Sequence, residues 1–140
     1  MAALISVLQA VRDASMEIGI MQTPTSQALG SLDEDIVQMT ALLTAVADEV
    51  LLEEPYEHIL GDGNWLLTGG NKPVSRPQTD ADLILFDGRV AVLGLKYRFL
   101  KAKGLEFGED MRDFLTRLNK LAVRANNRVL DLNVEEGRQA

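Results

Sequence analysis

At 140 residues, with 46% apolar and 25% charged side chains, the chain has room for one domain with one core and is too apolar to be disordered throughout. It has no cysteine and one histidine, His58, which excludes disulfides and thiolate metal sites and leaves little for a histidine-based centre. The net charge of −7 is unevenly spread: residues 1–88 hold three basic and fourteen acidic side chains, residues 89–140 eleven basic and seven acidic. Such acidity argues against gripping DNA phosphates, which takes Lys and Arg. An acidic half and a basic half suit head-to-tail contact between copies, although solvated helix faces explain them too. No apolar run reaches the roughly 18 residues of a membrane span. The start, with no basic lead and no long apolar stretch, is a poor signal peptide, and the absence of cysteine fits a reducing cytoplasm.

The first predicted helix runs from about Ala3 to Ile18, with Leu4, Leu8, Val11 and Ile18 on one face and Gly19 placed to end it. A loop follows, broken by Pro24 and Gly30. Ser31 or Asp33 caps a second helix, and Glu34 and Asp35 put acid where the helix dipole favours it. Ile36, Met39, Leu43, Val46 and Val50 make its apolar stripe, and Pro55 is expected to stop it.

Residues 55–86 read as an insertion punctuated by Pro and Gly. Trp65-Leu66-Leu67 and Leu83-Ile84-Leu85-Phe86 are candidate hairpin arms, with 61–82 expected to protrude as an arm. A third helix opens at Asp87 as N-cap and runs to about Lys103, where Gly104 caps it. Val90, Leu93, Tyr97 and Leu100 form one seam and Val92, Leu95 and Phe99 another, so this helix should be central and wrapped by its neighbours. Gly94 in its interior suggests a close helix crossing. The fourth helix covers about 106–126, on Met111, Phe114, Leu118, Leu121 and Ala125. The near-alternating Val129-Leu130-Asp131-Leu132-Asn133-Val134 predicts an extended C-terminal tail or strand over 127–140. The expected architecture is mainly α: a four-helix, bundle-like domain over 1–126 with an inserted hairpin or loop, and a C-terminal extension.

Chemical motifs are weak. Gly69-Gly70-Asn71-Lys72-Pro73 lacks the spacing of a phosphate loop and the Ser or Thr after its lysine. Asp62-Gly63-Asn64 lacks the closing glutamate of a calcium loop. His58 beside Glu54 and Glu57 has no second histidine to complete a zinc site. Lys96, Arg98, Lys101 and Lys103 on the third helix point in different directions, so they do not form a DNA-binding stripe. No catalytic residue, metal ligand or cofactor site is predicted.

The stretch from Leu83 to Phe107, centred on Leu93-Gly94-Leu95-Lys96-Tyr97-Arg98-Phe99-Leu100-Lys101-Ala102-Lys103-Gly104, resembles a segment of tailed-bacteriophage head completion proteins, also called head-tail adaptors or connectors. The acid-opened helix from Glu109 to Asn126, the start Ser6 to Ala14 and the run Glu34 to Met39 are similar as well, while 61–82 match loosely. The resemblance implies a structural virion protein with no enzyme activity. Such proteins form rings, generally twelvefold, between the portal protein and the tail or its completion protein, and extend the channel through which DNA passes without specific binding. It would be made in the bacterial host cytoplasm and end at the head-tail junction of the virion. The tail, through Val129, Leu130, Leu132 and Val134, would then reach the portal. Trp65, Leu66 and Leu67 would contact a neighbouring subunit or the tail. The alternative is a small helical interaction module or assembly factor with no virion role. An enzyme using carboxylates near the glycine-rich loop, such as Asp62 and Asp82, has the least support.

Overall fold

The structure is a computed structural model, described for residues 4–20, 26–53 and 63–139, with side chains up to residue 124. Its elements are α1 (Val7–Ile18), α2 (Glu34–Leu51), β1 (Leu66–Leu67), β2 (Pro73–Val74), β3 (Leu83–Ile84), α3 (Gly88–Ala102) and α4 (Gly108–Gln139). The fold is mainly helical, with one small sheet, as the periodicities predict.

Local chemistry sets the helix ends. The Ser6 hydroxyl accepts from the Gln9 N–H at 3.1 Å and starts α1 later than the predicted Ala3. Residues 5 and 6 are instead strand-like: Ser6 pairs with Leu83, and the Ile84 N–H donates to the Ile5 carbonyl at 2.9 Å. Gly19 closes α1 in the left-handed conformation, at φ 86°, where a side chain would clash with its own backbone. Asp33 caps α2, accepting from the N–H groups of Asp35 and Ile36. That helix ends at Leu51, and Pro55, its predicted stop, lies outside the described residues. Asp87 caps α3, accepting from the Val90 N–H at 3.0 Å, and Gly104, at φ 73°, turns the chain away after it.

The central position expected of the third helix is borne out. Packed by α1, α2 and α4, α3 buries Val90, Ala91, Val92, Leu93, Leu95, Tyr97 and Phe99. All five stripe residues predicted for α2 are buried. On α1 the predicted Val11 is buried and Leu8 and Ile18 pack against the core, but the fully buried face also takes in Val7, Ala10, Ala14 and Ser15, and Leu4, before the helix, is 48% exposed. The small Ala10, Ala14 and Ser15 let α1 lie close to its neighbours, which a larger residue would prevent. Gly94 sits at the predicted close crossing. A Cβ there would stand 2.5 Å from Val46 Cγ1 on α2 and 3.2 Å from the Phe114 ring on α4.

Two expectations are corrected. Over its described residues 63–86 the insertion is not a free arm: its strands are rooted in the core, while residues 69–73 and most of 75–81 are exposed. It folds into an antiparallel sheet of order β2-β1-β3, with Leu66 opposite Val74 on one side and Ile84 on the other. Trp65, Leu66, Ile84 and Phe86 enter the common core, because the apolar faces of such short strands have no other cover. Nor is 127–139 extended: the backbone of α4 continues to Gln139. Once α4 is nucleated, each further residue adds a backbone hydrogen bond with no new nucleation cost, so local alternation does not end the helix.

Candidate functional site

Three clusters of polar side chains tie the elements of the fold together, two of them built on the buried Asp82 and Asp87. The first is in the turn before β3. The Asp82 side chain, fully buried, accepts from the Gln78 N–H at 2.6 Å, the Thr79 N–H at 3.0 Å and the Thr79 hydroxyl at 2.8 Å. Burial pushes its pKa up, but these hydrogen bonds to the ionised form outweigh burial and hold it below the ordinary carboxylate value. Two residues earlier, the Asp80 carboxylate accepts from the N–H groups of Ala28 (3.1 Å) and Leu29 (2.7 Å). The carbonyls of Asp80 and Asp82 meanwhile accept from Leu8 and Val7, two of the unpaired N–H groups at the start of α1. One short turn thereby fastens the loop before α2, the start of α1 and the sheet.

The second cluster joins α1, α3 and α4. Arg117 on α4 grips Asp87 with two hydrogen bonds, at 2.6 and 3.1 Å, while Asp87 also caps α3. Glu17 on α1 accepts from Arg89 at 2.6 Å and Lys96 at 3.3 Å, and Lys96 reaches Asp110 at 3.1 Å. Burial raises the Glu17 pKa, but the two cations overcome it and the net shift is downward. Asp13 nearby is shifted upward, first by burial and then by the Glu17 charge. A depression of about 260 Å³ opens here, lined by Asp13, Asp87, Arg89 and Arg117 among others. A second of about 300 Å³ adjoins it through Arg89 and Arg117 and adds Asp113, Thr116 and Lys120. Both arginines already carry a carboxylate partner, which neutralises much of the positive charge lining these depressions.

The third cluster ties α2 to α3. The Tyr97 hydroxyl donates to the Glu49 carboxylate at 2.5 Å, and Arg98 reaches the same group at 3.3 Å. Burial, then the hydrogen bond to Glu49, raises the Tyr97 pKa. Along α3 the cations diverge as expected: Lys96 turns toward α1 and α4, Arg98 to Glu49 on α2, and Lys103 to Asp35 at the start of α2.

Residues singled out in the sequence separate accordingly. Trp65 and Leu66 are at most 1% exposed, and the Trp65 indole N–H donates to the Ser75 carbonyl at 2.8 Å. They are core residues, which corrects their assignment to an interface, and Leu67 alone of the three is half-buried. Val129, Leu130, Leu132 and Val134 lie in the last third of α4, and their side chains are outside the described residues. Also outside are Glu54, Glu57, His58 and Asp62. The glycine-rich run supplies the turn of the β1–β2 hairpin at 69–72, with Asn71 at φ 60° and its N–H donating to the Thr68 carbonyl at 2.9 Å, and Pro73 opens β2. Among the described residues no three His, Cys, Asp or Glu side chains gather where they could hold a metal ion, and no helix is long and apolar enough to cross a membrane. Sequence reasoning missed the Asp80 clasp and the Arg117–Asp87 grip. The only local signal was the two aspartates of Thr79-Asp80-Ala81-Asp82, a composition that favours turns.

Fold and clusters define a small, mainly α domain whose buried carboxylates are engaged in holding its elements together. Compared with protein-family models, curated proteins and solved structures, the chain matches none.

Proposed function

We propose that the chain is a structural, ring-forming adaptor of a tailed-bacteriophage head-tail junction, joining the portal to the tail and extending the DNA channel. The observation that carries this reading is the resemblance of Leu83 to Phe107, followed by the acid-opened helix from Glu109, to head completion proteins. The engagement of Asp80, Asp82, Asp87 and Glu17 in internal hydrogen bonds is consistent with a scaffold role. In this reading the end of α4, with Val129, Leu130, Leu132 and Val134, makes the portal contact. The subunit needs no enzyme activity and no cofactor, and acidic surface keeps passing DNA unbound.

The test is to mix the purified protein with the portal ring of the same genome and image the mixture by electron microscopy, with the protein alone as control. Added ring density under the portal is expected, its symmetry giving the copy number. A protein that stays a small free species in the mixture would overturn the adaptor reading in favour of a helical interaction module.

A further inference from the structure

We draw no further inference here: the strongest candidate, the outward face of the small sheet, where the half-buried Leu67 of β1 stands between the exposed Pro73 of β2 and Leu83 of β3, is an unpartnered apolar patch, and nothing in the structure shows what covers it.

Discussion

At the scale of single residues, Gly94 is the most sharply tested position. Helix propensity alone makes Gly94→Ala stabilising by about 1 kcal/mol. Packing opposes it: the new methyl would stand 2.5 Å from Val46 Cγ1, and a β-branched side chain on a helix has little freedom to turn aside. Overpacking of this kind costs about 1–3 kcal/mol, so Gly94→Ala should lower stability in urea unfolding, and Val46→Ala in the same chain should recover part of the loss. A stabilised Gly94→Ala protein would show that the helices do not cross so tightly. Asp82 makes a second prediction. Its pKa is lowered on folding, so its contribution is fully present above the unfolded value near 4 and is lost as pH falls through the folded value. Asp82→Asn should cost about 1–3 kcal/mol at neutral pH and flatten the acid limb of the stability profile. Tyr97 has the opposite sign: its raised pKa makes its contribution complete below pH 10 and lost above it. Alkaline titration of stability should therefore be shallower in Tyr97→Phe.

Among the elements, the small sheet behaves as part of the core. Trp65 lies 6.2 Å from the Phe86 ring, tilted against it, and is 1% exposed. Trp65→Ala should cost about 3–5 kcal/mol of folding stability by calorimetry or denaturant. An interface residue would instead leave stability unchanged and weaken association only. The grip of Arg117 on Asp87 joins α3 to α4 through groups of very different exposure, with Arg117 44% open and Asp87 only 3%. Asp87→Ala should therefore cost more, about 1–2 kcal/mol from the lost cap, than Arg117→Ala, at under about 1 kcal/mol. Equal losses would mean that the ion pair, not the cap, dominates.

For the molecule as a whole, the division into an acidic first part and a basic second part becomes an arrangement of surfaces. Arg89, Lys96 and Arg98 on α3 and Lys103 just beyond it pair with carboxylates of α1, α2 and α4, whereas Lys101 lies over the Phe107 ring. Deleting 127–140 should leave the packing of Phe114 and Leu118 on α3 intact and abolish attachment to the portal, read by co-sedimentation with the portal ring. Unchanged co-sedimentation would remove the portal role from the end of α4.

Helix types, the Asp33 and Asp87 caps, the stripe of α2, the central place of α3 and the close approach at Gly94 were all legible in the residues. Each depends on neighbours within a turn or two, or on a period that survives burial. The start of α1, the seat of Trp65 and the clasps of Asp80 and Asp82 were not. Ser6 ends its extended stretch because Leu83 lies beside it, and Asp80 meets Ala28 and Leu29 across about fifty intervening residues. The length of α4 escaped for the converse reason, since alternation over six residues is a weaker cause than a helix already under way. Which segments are helical, and most of their apolar faces, follow from the order of residues alone, because local sterics and periodicity act along the chain. That the strands of the insertion root in the core, and that Asp80 and Asp82 serve as clasps, follow only from the folded arrangement, because those contacts join residues that the chain order keeps far apart.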